Sequence, residues 1–364
     1  MYYKERIVGA ITYGILLLFF SYLIRNNNKF KRILYVYAFI LSVLAYFYIP
    51  NPGYDLERIN ATLSQYYQPM NLNELFRLLG NSFTPSVNIL YYVISKTNHF
   101  GLLPFTASLV FYLSIFSIFS DICLKYNICG TKRFLYLIFI MSLGTYLEVI
   151  SNIRCMTAFA MIAFCVYNEI FNHKSLVKHL PIYFIAGTMH LAALAVIMVR
   201  FAIYPLQKAK RKILYALLPL SILVMIYICF PNFVNQIFFT ESYYKENVSY
   251  MYFPEFVLMM IITTYIIFIK LIHWKYVMSD SLLKKMNFFA MILLLIMIVN
   301  INEYSIFHRI GTLHFLINMP IMGKYLSLLK RGSSITIMFI ISAIILFIAA
   351  VFGNLSGFKY FIFS

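Results

Sequence analysis

Three basic side chains stand where a membrane-inserted chain has no topological use for them. Arg154 ends the segment EVISNIR, just past a short turn between two apolar runs. Arg309 follows Glu303 and His308 in NEYSIFHRIG, again between apolar runs. His190 lies near the middle of the apolar stretch 181–206. A guanidinium is a planar fork that matches phosphate oxygens bidentately. Two of them on separate helices could grip a pyrophosphate. An imidazole titrates near neutral pH and can serve as a base beside such a clamp. The competing reading makes each arginine half of a helix-stapling ion pair, with Glu148 or Glu303 opposite Arg154. It makes His190 a buried imidazole bonded to a backbone carbonyl. His308 and His314 are weaker candidates, and His179 and His273 read as interfacial loop residues.

The elements that would position these groups follow from hydropathy and charge. Hydrophobic residues make up 62% of the 364, only 12% are charged, and mean hydropathy is +0.80, which excludes a soluble globular domain. The fold class is all-α, a polytopic membrane protein in a single domain over 1–364. A span needs about 20 apolar residues. Candidates are 7–24, 33–49, 101–120, 134–150, 153–171, 213–231, 254–272, 286–302, 305–323 and 335–352. The first is kept as a span rather than a cleaved leader, because no small-residue cleavage site follows it.

Basic residues flank 181–206 on both sides: Lys174 and Lys178 before it, Lys208, Lys210, Arg211 and Lys212 after it. Positive flanks stay on the cytoplasmic side, so this stretch enters and leaves on one side. It is expected to form two half-helices that meet near His190. Irregular backbone at membrane depth beside an ionisable group marks a functional site. The same accounting makes 86–98 an interfacial helix and puts long loops at 50–85 and 232–253 outside. The formal charge of +18 sits mostly in short loops, so it reports topology rather than nucleic-acid binding. The five cysteines form no C-x-x-C pair and read as packing residues, and the histidines lack metal-ligand spacing. Outer-segment tyrosines, among them Tyr54, Tyr66, Tyr67, Tyr91 and Tyr92, could stack on sugar rings or simply form an interfacial belt.

Four segments, in order, carry a resemblance. NPGYDLERINATLSQYY, EVISNIRCMTAFAMIAF, TMHLAALAVIMVRF and FHRIGTLHF resemble successive segments of the EpsG/Wzy polysaccharide polymerases and together cover roughly residues 50–325. Cys155 stands where members often carry glutamine, and Leu191-Ala192 replaces a more polar pair. The resemblance implies a membrane-embedded glycosyltransferase fold in the bacterial inner membrane, with its site on the periplasmic face. It implies that undecaprenyl-pyrophosphate-linked oligosaccharide repeats are polymerised there. Arg154 and Arg309 would bind the pyrophosphate. His190 would be the base, with Glu303 and Asp55 as second choices, and Arg58, Asn152, Tyr54 and His308 would contact glycan. Implied partners are the lipid-linked oligosaccharides, the bilayer and a chain-length regulator. No cofactor, metal or nucleic acid is expected, and no D-x-D motif is present. An O-antigen ligase and a lipid-linked oligosaccharide flippase or transporter are the alternative functions.

Overall fold

The structure, a computed structural model, describes residues 2–50, 55–143, 146–208, 253–301 and 304–329. Every described element is a helix: α1 (Tyr2–Ile24), α2 (Phe30–Tyr46), α3 (Asp55–Thr62), a π-helical turn (Leu63–Tyr67), α4 (Leu72–Asn81), α5 (Pro85–Thr97), α6 (Leu102–Lys125), α7 (Thr131–Leu143), α8 (Tyr146–Ser151), α9 (Ile153–Phe171), α10 (Leu176–Met189), α11 (Leu191–Lys208), α12 (Phe253–Ile272), α13 (Trp274–Ser279), α14 (Ser281–Val299) and α15 (Tyr304–Leu328).

Among the described residues, three helices are both long and apolar enough to cross a membrane: α6, α9 and α14. The apolar stretches Ile11–Ile24, Leu191–Tyr204 and Met259–Ile272 are shorter. The expected spans 213–231 and 335–352 lie outside the described residues, as does nearly all of the expected loop 232–253. The expected span 134–150 is delivered as two helices, α7 and α8. The expected span from 286 starts earlier, at Ser281. Asp280 caps it, its carboxylate accepting from the Leu282 and Leu283 N–H groups at 2.9 and 3.2 Å, so Lys284 and Lys285 join the helix.

The expected loop 50–85 is largely helical. α4 begins at a capping box. The Asn71 side chain accepts from the Glu74 N–H at 3.0 Å, and the Glu74 carboxylate accepts from the Asn71 N–H at 2.8 Å. That reciprocal pair satisfies two donors a helix start otherwise leaves bare. α5 occupies the expected interfacial helix 86–98. At 13 residues it spans about 20 Å, short of a bilayer core.

α6 packs between α2 and α9, α14 pairs with α15, and α9 carries α10. Much of the aromatic content is core rather than belt. Tyr37 stacks on Phe20 at 4.3 Å and on Phe116 at 5.6 Å. Buried phenols donate to the backbone of other helices: Tyr13 to Met141, Tyr146 to Leu41 and Tyr136 to Met319. A tyrosine here supplies ring packing and a satisfied hydroxyl together. The perimeter is the reverse of a soluble protein's. Ile15, Phe39, Ile261 and Leu295 are more than half exposed, as a surface facing lipid requires.

Two residues fix close approaches. Arg133, buried, donates to the carbonyls of Ile128, Ile24 and Asn27 and lies over the Phe30 ring, so it closes the end of α1. Gly101 lets α6 begin against the end of α2, and an added Cβ would land on the Tyr46 carbonyl oxygen. Gly101→Ala is expected to destabilise by about 1–3 kcal/mol, the usual toll of overpacking. Thermal unfolding of detergent-purified protein measures it, and an unchanged midpoint would show that α2 and α6 separate freely there.

Candidate functional site

The site is built where three helix ends meet. α9 starts at Ile153, with Asn152 as an exposed N-cap whose side chain caps nothing. Its first N–H groups lack the side-chain partner that a capped helix has. Arg154 is the second residue of that helix and half-buried. It makes no ion pair or hydrogen bond with any described residue.

The second end is the α10–α11 junction. The chain leaves helical geometry at His190 alone, with φ −151° and ψ 130°, and resumes at Leu191. His190 explains its own break. Its Nδ1 accepts from the Ala192 N–H at 3.2 Å, and its carbonyl accepts from Ala193 and Leu194. It therefore caps α11 as a serine or asparagine would. Because an amide nitrogen can only donate, Nδ1 must hold the lone pair. The neutral ring then carries its proton on Nε2.

The two helices run back alongside each other. His179, eleven residues before the break, lies 3.7 Å from one carboxylate oxygen of Glu169, and Arg200, ten residues after it, bonds the other at 2.6 Å. Two helices that reach one carboxylate with their far ends must form a hairpin. Glu169 and Arg200 are buried, and so is His179, which corrects its reading as an interfacial loop residue. An arginine inside an apolar stretch and a glutamate inside a span each signal a partner. Both signals are legible in the sequence; their pairing across 31 residues is not.

The third end is the start of α15. His308 Nε2 lies 3.3 Å from Glu148 of α8, so the described partner of Glu148 is His308 rather than Arg154. Arg309 follows. The charges of Arg154 and Arg309 both act on the His190 imidazole, and both act with Glu148 on the Cys155 thiol. Thus α9, α15 and the hairpin apex bring Arg154, Arg309 and His190 into one electrostatic neighbourhood.

The outer helices close over it. Tyr67, from the π-helical turn, donates to Asn88 at 2.8 Å. Its ring meets Tyr91 of α5 edge to face at 5.7 Å. Burial pushes both phenols up to about 12, while the Arg154 guanidinium pulls each the other way. Both are therefore neutral donors at working pH. The Tyr91 hydroxyl is buried with no hydrogen-bond partner among the described residues. Ser86 of α5 bonds Thr188 at 2.6 Å, two residues before the apex, and so fixes the outer layer to the hairpin.

The remaining expected residues fall as follows. Asp55 and Arg58 are paired with each other at 2.6 Å on α3, with Asp55 in electrostatic reach of Tyr91. Asn152 is exposed beside Arg154, and His308 is paired with Glu148. Tyr54 and Glu303 lie outside the described residues. No family model, characterised protein or solved structure matches the chain.

Proposed function

We propose that this chain is a membrane glycosyltransferase that polymerises oligosaccharide repeats carried on undecaprenyl pyrophosphate. The reading includes about ten spans and a site facing away from the cytosol. One observation carries it: Arg154 stands at a helix start with no side-chain cap and no ion pair among the described residues, and its charge and that of Arg309 both act on His190 and Cys155. Helix starts and guanidinium groups both attract phosphate, and two guanidinium groups near one helix start suit a doubly charged diphosphate.

The chemistry follows from these groups. The acceptor hydroxyl attacks the anomeric carbon of the donor glycan, and the bond to the pyrophosphate oxygen breaks. Negative charge grows on that oxygen, and Arg154, Arg309 and the α9 N–H groups stabilise it. His190 enters in a role other than the expected base. With Nδ1 committed to Ala192, its Nε2–H donates to the departing pyrophosphate or to the sugar. The hydroxyl proton passes to Glu148, oriented by His308 at 3.3 Å. Asp55, paired with Arg58, positions the glycan.

His190→Asn separates these roles. Asparagine is a strong helix N-cap, so the break and its fold are retained while the Nε2 donor is lost. Polymerisation is expected to fall by about 10²–10³-fold, the usual effect of deleting one charge-stabilising donor. Surface glycan run on a gel should show single repeats in place of a ladder. A normal ladder would leave His190 as a helix cap only. Where lipid-linked repeats accumulate separates the rival functions. Single repeats at the outer face fit a polymerase, trapped repeats inside fit a flippase, and long chains retained on the carrier fit a ligase.

A further inference from the structure

We infer that the groove between the π-helical turn and α4 is an oligosaccharide-binding subsite that holds the sugars of the lipid-linked repeat beyond the pyrophosphate clamp, an inference that rests on the transferase reading above. The groove, about 520 Å³, is lined by Gln65, Tyr66, Pro69, Glu74, Arg77 and Asn81 among others. That is within the range of about 300–1,000 Å³ in which small ligands are held.

Its walls are built rather than incidental. A π-helical turn widens the backbone by one residue and often sits at a functional place. Here it sends Tyr67 inward, 5% exposed, and leaves Tyr66 outward, 51% exposed. The chain between the turn and α4 is fastened from α5. Lys96 donates to the carbonyls of Gln68 and Met70 at 2.7 and 2.6 Å, and Gln68 donates to Asn98 at 2.6 Å.

On α4 the residues Glu74, Arg77, Leu78 and Asn81 follow helical spacing and share one face, which is the groove wall. Leu72 and Phe76 occupy another face and are exposed, so the polar wall and the apolar face of α4 are distinct. The Arg77 guanidinium has no ion pair among the described residues. A stackable ring, an amide, a free guanidinium and an apolar floor of Pro69 and Leu78 match a sugar's mixed faces. They do not match a purely apolar ligand.

The groove wall is also coupled to the clamp by ring contacts. Tyr66 meets Tyr67 edge to face at 5.2 Å, and Tyr67 meets Tyr91 at 5.7 Å. The last two rings feel Arg154. One run of packed tyrosines therefore joins the groove wall to the surroundings of Arg154.

The test uses the full-length protein in lipid nanodiscs and saturation-transfer NMR. The probe is the free oligosaccharide released by mild acid from the producing cell's own surface polysaccharide, which carries no pyrophosphate. Wild type is expected to transfer saturation to sugar ring protons. The double variant Tyr66→Ala/Arg77→Ala should bind about tenfold more weakly or not at all, Tyr66→Trp should retain binding, and Arg154→Ala should bind as wild type does. No transfer in wild type, or equal transfer in the double variant, overturns the subsite. Normal sugar binding that depends on Tyr66, together with an intact surface ladder in Arg154→Ala cells, would keep the subsite and overturn the polymerase reading. A lost ladder with groove variants that bind normally would do the opposite.

Discussion

Arg154→Lys is expected to abolish the glycan ladder while the protein still folds and melts as wild type does. Lysine keeps the charge and nearly the same helix propensity as arginine, so α9 loses nothing locally. What it lacks is the planar fork that meets two phosphate oxygens at once. The loss should be about 10²–10³-fold in polymerisation. Arg154→Ala sharpens the comparison. A stapling arginine leaves a bare buried carboxylate when removed, and breaking such a pair costs about 3–5 kcal/mol. Arg154 has no such carboxylate among the described residues, and Glu148 is held by His308. The alanine variant should therefore be inactive yet melt no lower than wild type, as expected when a group serves function at some expense of stability. Melting followed by light scattering, with the surface ladder run beside it, decides the matter. A midpoint many degrees lower would make Arg154 a structural staple.

Some of this architecture was legible in residues alone. The span over 153–171 coincides with α9, because a mostly apolar run of that length has one low-energy form in a bilayer. The break near His190 was legible from charge parity across 181–206, which a single crossing cannot satisfy. Hydropathy fails where burial is not driven by lipid. The segment 50–85 looks like a weakly charged loop to a hydropathy window, yet Asn71 and Glu74 spell a capping box, a local signal that windows average away. Charge patterns mislead when every arginine is read as a topology marker. Arg133 clamps three carbonyls, and Arg200 pairs inside the apolar stretch itself. The role of His190 was beyond sequence for a plainer reason. Which ring nitrogen holds the proton depends on one backbone N–H, and no spacing rule gives the direction of that bond.

The ion pair at the base of the hairpin supplies the largest expected loss of stability. Glu169→Ala should destabilise by about 3–5 kcal/mol, because Arg200, 1% exposed, would remain charged without its carboxylate. Arg200→Met should do similar harm by leaving Glu169 without its hydrogen-bonded cation. The double variant Glu169→Leu/Arg200→Met is expected to recover most of that loss, since buried ion pairs replaced by apolar residues of similar volume are often neutral or better. The signature is strong non-additivity in a double-mutant cycle read by thermal unfolding. Activity should follow the same pattern for a geometric reason. Glu169 lies fifteen residues beyond Arg154 on α9, about 22 Å along the axis. Arg200 ties the hairpin to that carboxylate, with His179 3.7 Å from its other oxygen, and about ten residues on either side rise to His190. The height of the apex relative to Arg154 is thus set by one buried anion, and losing it lets His190 slide away from the clamp. A double variant that stays as unstable as the singles, or single variants that melt like wild type, would show that the hairpin is held by its apolar packing against α9 and not by this pair.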